Sequence, residues 1–193
     1  MRAASLSPSP SRRWLTRANA LSLSRLAIAP ALALAIGSGH RLGAAALLLL
    51  AIASDFADGA VARRYGEASP LGGLVDHATD ATLVVLGLGA LAARGELPRA
   101  LAPLAAVAFA QYALDSRTLA GRPLRASRLG RWNGIAYYVL VSVPVFRDAL
   151  GLSWPGPAWM RPAGWVFVAS TLVSMLDRLT ALLRRRDAQQ PSG

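Results

Sequence analysis

Six apolar blocks constrain this chain more than any other feature: roughly residues 21–37, 42–61, 74–93, 99–115, 133–150 and 162–183. A helix needs about 20 mostly apolar residues to cross the hydrocarbon core of a bilayer. Six such blocks at regular spacing predict six transmembrane helices. A soluble Ala-rich bundle would need a long polar face along its helices, and none of the blocks has one. Of 193 residues, 54% are hydrophobic, which is high for a soluble domain of this length. The predicted class is an all-α integral membrane protein.

Charge orients the predicted helices. All 21 basic residues are Arg, and the formal net charge is +11. The placement of this charge points to a membrane surface and argues against nucleic acid. With the N-terminus in the cytoplasm, 14 Arg fall on the cytoplasmic side and five (Arg41, Arg94, Arg99, Arg147, Arg161) on the other. Arg25 and Arg178 lie within blocks. Both termini are therefore expected in the cytoplasm, in a multi-pass protein of the cell (inner) membrane. The stretch "SRRWLTR" is similar to a twin-arginine export signal, but the run behind it holds Arg25 and Pro30 and shows no convincing cleavage site. A short amphipathic interfacial helix around Arg12, Arg13, Trp14, Leu15 and Arg17 fits better. Residues 1–11 and 187–193 are expected to be disordered, and residues 12–186 to form one membrane domain. With no cysteine, disulfides are excluded.

Between the second and third blocks lies "SDFADGAVARRYGEASPLGGLVDHATD", Ser54 to Asp80. Asp55 and Asp58 stand three apart, with Gly59 and Ala62 on the same helical stripe. Gly72, Asp76 and Asp80 form a second stripe at spacing of four. The short connection predicts antiparallel neighbours whose stripes face each other. Four converging carboxylates repel one another, and hard divalent cations with oxygen ligands (Mg²⁺, Mn²⁺ or Ca²⁺) are the natural remedy. Neither His40 nor His77 has a matching partner, so neither is expected to be a ligand. Arg63 follows closely, and a guanidinium beside a metal site suits phosphate. Gly66, Ser69, Pro70, Gly72 and Gly73 permit close backbone approach. Together these residues point to phosphoryl or phosphatidyl transfer. A buried Asp–Arg ion-pair network, an ion or proton pathway, and a catalytically silent scaffold are the competing classes.

The spacing reads Asp58-Gly59-x2-Ala62-Arg63-x8-Gly72-x3-Asp76-x3-Asp80, with Asp55 three residues upstream. It resembles the signature of the CDP-alcohol phosphatidyltransferase family at all eight specified positions. The resemblance implies six spans and a two-metal site holding Mg²⁺ or Mn²⁺. It further implies attack of an acceptor hydroxyl on the β-phosphorus of CDP-diacylglycerol, with CMP leaving. By that likeness Asp55, Asp58, Asp76 and Asp80 bind metal, and Asp80 is also the general base. Gly59, Ala62, Arg63, Ser69 and Gly72 would contact the CDP-lipid. Asn19, in the "PNxLT"-like "ANALS", would line the cytidine pocket. A homodimer is also implied.

The acceptor is less legible. "RASRLGRWNG", Arg125 to Gly134, is similar to the "SKxGKxKT" segment of phosphatidylglycerophosphate synthases. Arg128 and Arg131 replace Lys, and Asn133-Gly134 replaces the usual Lys-Thr. Arg128 and Arg131 would bind the phosphate of glycerol 3-phosphate. Inositol phosphate and a second diacyl lipid such as phosphatidylglycerol are the alternatives. Asp115 with Arg117, and Asp177 with Arg178, are expected to pair with one another or with neighbouring loops. Arg184–Arg186 would anchor lipid headgroups.

Overall fold

A computed structural model describes residues 17–66, 70–118 and 128–187. They form six helices: α1 (Arg17–Gly37), α2 (Arg41–Tyr65), α3 (Pro70–Ala93), α4 (Leu101–Thr118), α5 (Arg128–Ala149) and α6 (Pro157–Asp187). No strand occurs among the described residues. Ala and Leu dominate the helices and are the strongest helix formers. Pro30 and Pro144 lie inside α1 and α5, where each removes one backbone N–H from the helix ladder. The α2 helix stops at Gly66, whose φ of 63° is left-handed and whose N–H donates to the Ala62 carbonyl.

Three helices hold stretches long and apolar enough to cross a membrane: Ala20–Gly37, Arg41–Tyr65 and Gly72–Ala93. The apolar part of α4, Leu101–Leu114, is shorter. Large apolar side chains also cover the outside, including Leu34, Leu42, Leu50, Phe56, Trp159 and Val166. An exposed apolar surface this extensive is what a bilayer contacts. The inside packs Leu32, Ile36, Leu48, Leu83, Leu88, Leu91, Leu101 and Val141. Ala29, Ala51 and Ala105, all fully buried, bring the backbones close.

The helix order departs from the expected neighbours. α1 packs extensively against both α2 and α3, while α2 and α3 make little contact with each other. The short connection placed them nearby, but α1 lies between them. Small residues along all three helices permit this wedge. The last two helices also begin before their apolar blocks: α5 starts at Arg128 rather than 133, and α6 at Pro157 rather than 162. Arg128 and Arg131 sit in the first turn of α5, and Asp187 ends α6 rather than starting a tail. The proposed interfacial segment at 12–16 and the segment 119–127, with Arg122 and Arg125, lie outside the described residues.

The α3 helix is 24 residues long, or about 36 Å at 1.5 Å per residue. Beyond its end, far from the aspartates at its start, a second charged cluster closes the bundle. Arg147, 7% exposed, donates to Glu96 at 2.7 Å, to Asp148 at 2.6 and 2.8 Å, and to the Pro155 carbonyl at 2.7 Å. Arg94 bridges Glu96 and Asp148. This cluster ties the α3–α4 turn to the α5–α6 connection. Arg147→Met leaves Glu96, itself 3% exposed, without its shortest ion-pair partner, and truncating one side of a buried pair costs about 3–5 kcal/mol. The expected outcome is a loss of that size in denaturant-induced unfolding of the purified protein. Unchanged stability would show the cluster to be well solvated.

Candidate active site

The acidic residues come from the end of α2 and the start of α3, about two to three turns inside each helix. They converge across α1. Ser22 and Arg25, spaced i, i+3, project from α1 into the gap between them. The Arg25 guanidinium is fully buried and contacts all four aspartates: Nη1 meets Asp55 and Asp80, and Nη2 meets Asp58 and Asp76. The Ser22 hydroxyl donates to Asp58 at 2.7 Å. From α5, the Tyr138 hydroxyl donates to Asp80 at 3.1 Å. Asp58 is the deepest acid, whereas the Asp55 and Asp76 side chains are 42% and 40% exposed. The centre thus has a closed floor and an open mouth.

These residues fit a divalent metal. Asp55, Asp76 and Asp80 each offer a carboxylate oxygen, all within 4.8 Å of one another. Two such charges repel by roughly 3 kcal/mol at an effective dielectric of about 20. A single guanidinium offsets one of the four negative charges. The surplus negative charge and the oxygen-only donor set both favour a hard cation. Asp58 stands outside the converging trio, bound to Ser22 and Arg25.

Beside the acids, Arg63 is exposed and folds back over Gly59. A Cβ at Gly59 would lie 3.3 Å from the Arg63 Nη1. The glycine gives that guanidinium room, and Ala62 and Gly72 are half-buried. Ser69 lies outside the described residues. Asn19 is in the first turn of α1, and Arg128 opens α5.

A cavity of about 340 Å³ adjoins Asp80 and runs between α3, α4, α5 and α6. That size suits a small ligand. Three of its lining residues, His77, Gln111 and Asn133, each carry a buried polar atom without a hydrogen-bond partner: Nε2, Oε1 and Nδ2 respectively. Leaving such atoms unpaired costs about 1–3 kcal/mol each, so a largely apolar wall offers three polar groups at fixed points to a ligand. Arg131 and Arg178 supply positive charge at its wall. Arg178 sits 5.3 Å from the centre of the Tyr112 ring, a cation–π contact that holds the head in place. Gly130 makes space for it, since a Cβ there would meet Arg178 Nη2 at 2.6 Å and Ser174 Oγ at 3.0 Å.

A family model for CDP-alcohol phosphatidyltransferases matches residues 15–179. The chain belongs to this family. The match takes in α1 to α5 and most of α6, and so every helix that contributes to the acidic centre and the cavity. Among curated relatives, a probable phosphatidylglycerophosphate synthase of Mycobacterium tuberculosis is 40% identical over 87 residues, which is 42% of this chain and 42% of the relative. A protein of Mycobacterium bovis, provisionally named a cardiolipin synthase, is 42% identical over 74 residues, covering 38% and 35% of the two chains. The aligned parts are thus less than half the length of these relatives. No solved structure gives a significant match.

Within this phosphatidyltransferase fold, the four signature aspartates come together, and Gly59 and Arg63 lie beside them. Arg131 reaches the cavity wall rather than a free loop. Several further residues of the site were not read from sequence. Arg25 was visible as a charge inside an apolar block, and its spacing from Ser22 would have put both on one face. Arg178, expected to pair with an acid or a loop, instead lies over Tyr112 and lines the cavity. His77, which stands outside the converging acids, packs against Phe109 and Tyr112 and lines the cavity together with Asp80. Tyr138 and Gln111 gave no sequence signal, because a lone polar residue in an apolar helix does not reveal which neighbour it faces.

Proposed function

We propose that this protein transfers a phosphatidyl group from CDP-diacylglycerol to glycerol 3-phosphate and releases CMP, as a step of phospholipid biosynthesis. The observation that carries this reading is the cavity beside Asp80 in the four-aspartate centre, with Arg131, Arg178 and three unpaired polar atoms in its wall. The acceptor hydroxyl gives its proton to the Asp80 carboxylate. Its oxygen forms a bond to the β-phosphorus, the bond from that phosphorus to the bridging oxygen breaks, and CMP leaves with the bridging oxygen. Asp55, Asp58, Asp76 and Asp80 would hold Mg²⁺ or Mn²⁺, which when bound disperses charge on the pyrophosphate and the leaving group.

Around this step, Arg63 meets phosphate of the CDP-lipid, and Gly59, Ala62 and Gly72 leave room for the nucleotide. Ser69 and Asn19 complete the donor site. On the acceptor side, Arg131 and Arg178 hold the phosphate, with Arg128 nearby in the same helical turn. His77, Gln111 and Asn133 have free polar atoms for the polyol. A phosphate-binding pair suits glycerol 3-phosphate or inositol phosphate better than phosphatidylglycerol. The name of the mycobacterial synthase relative favours glycerol 3-phosphate. Residues 12–186 act as one membrane domain of six spans, with both termini and the site on the cytoplasmic side, where the Arg-rich segments cluster. The lipid tails remain in the bilayer while the headgroup reaches the aspartates. The active form is a homodimer.

The test supplies CDP-diacylglycerol with glycerol 3-phosphate, inositol phosphate or phosphatidylglycerol, follows CMP and identifies the lipid product by mass. Phosphatidylglycerophosphate is the expected product. A product from another acceptor replaces the acceptor assignment, and no CMP with any acceptor sinks the whole reading.

A further inference from the structure

We propose that Arg25 is a built-in counter-cation that holds the four aspartates together and competes with divalent metal for their oxygens. This inference rests on the metal-dependent reading above. Its basis is the way the guanidinium is held. Each terminal nitrogen joins one carboxylate of α2 to one of α3: Asp55 with Asp80, and Asp58 with Asp76. The side chain therefore cross-links two helices that scarcely touch each other. A planar fork with several donors can do this, whereas a lysine ammonium is a single point of charge.

The other end of the fork is unanchored. Arg25 Nε is buried and has no hydrogen-bond partner, so the contacts that hold the head are those to the carboxylates. Among the described residues, no other cation forms an ion pair with these four acids. Asp55, Asp76 and Asp80, the trio whose oxygens converge, are all Arg25 partners. A cation bound by that trio draws on carboxylates that already accept from the guanidinium, and it sits against a like charge. The arrangement lowers carboxylate repulsion while leaving net negative charge to attract a divalent ion. Apparent metal affinity is then weaker than the aspartates alone would give, because the guanidinium repels the ion and competes for the same carboxylates.

The experiment titrates the purified full chain with Mn²⁺, reads free Mn²⁺ by electron paramagnetic resonance, and records thermal unfolding in EDTA and in saturating Mn²⁺. Arg25→Met is expected to bind Mn²⁺ about tenfold more tightly than wild type or better. It should melt lower in EDTA, because its carboxylates repel without a counter-charge, and close that gap in Mn²⁺. Arg25→Lys keeps the charge but not the fork and should bind Mn²⁺ with intermediate affinity. It also serves as the test if Arg25→Met does not fold. Mn²⁺ affinity equal to or weaker than wild type in these variants overturns the proposal. So does a melting deficit as large in Mn²⁺ as in EDTA, which marks Arg25 as a structural strut. Absence of Mn²⁺ binding by the wild-type protein defeats the metal reading itself, and this inference with it.

Discussion

Asp80→Asn is expected to reduce CMP release by about a thousandfold or more, with the protein still folded. The size follows from the role. An amide cannot accept the acceptor's proton, and general-base catalysis alone contributes about 10²–10⁴-fold. The change also weakens one of the three converging oxygen donors. Folding should survive because Asn is isosteric and its carbonyl can still accept from Arg25 and Tyr138. Removing one negative charge from a crowded acidic centre also relieves repulsion rather than adding to it. The measurement pairs initial rates of CMP release with a thermal melt on the same preparation. Turnover near wild type would remove Asp80 as the base. A collapsed melt would reassign it to structure.

Chelation is the second large effect. EDTA is expected to bring phosphatidyl transfer to background, and added Mg²⁺ or Mn²⁺ to restore it, whereas Zn²⁺ should restore it poorly. Among the described residues no His or Cys joins the oxygen cluster, and hard carboxylate oxygens favour Mg²⁺ or Mn²⁺ over softer ions. The reactants make the dependence strong. A CDP-lipid brings pyrophosphate charge toward four carboxylates, and Arg25 offsets only one of these. Without cations, donor and site repel each other. Rates measured across a metal series, with the lipid product identified at each step, decide the point. Full activity in EDTA would leave the acidic centre as an ion-pair network and return its charge to a structural role.

Much of this was legible in the sequence because it is local. Helix periodicity places Asp55, Asp58, Gly59 and Ala62 on one stripe, and Gly72, Asp76 and Asp80 on another, whatever the helices pack against. The positions of the helices likewise follow from the apolar blocks, to within a few residues at their ends. The ends themselves moved because a polar or Arg-rich stretch can continue a helix past the apolar part. That is how Arg131 came to be on α5 and Asp187 on α6. Neighbour relations were not legible. A short link brings α2 and α3 close in chain terms, but packing decided in favour of α1 between them. Arg178 illustrates the same limit. Its contact with Tyr112 depends on how α6 lies against α4, and no spacing within either helix encodes that.

The sequence by itself determined the groups available: four carboxylates at helical intervals, an Arg and small residues beside them, and six apolar segments to hold them. These depend on the 3.6-residue repeat and on side-chain identity, which are properties of short stretches. Only the tertiary structure decided what meets the carboxylates. It wedged α1 between the two acidic helices and put the Arg25 guanidinium at their centre. It also set Tyr138 on Asp80 and opened the Arg-lined cavity beside it. Helix packing is fixed by many weak contacts between residues far apart in the chain, so one buried charge in an apolar block reveals its partners only once the helices are assembled.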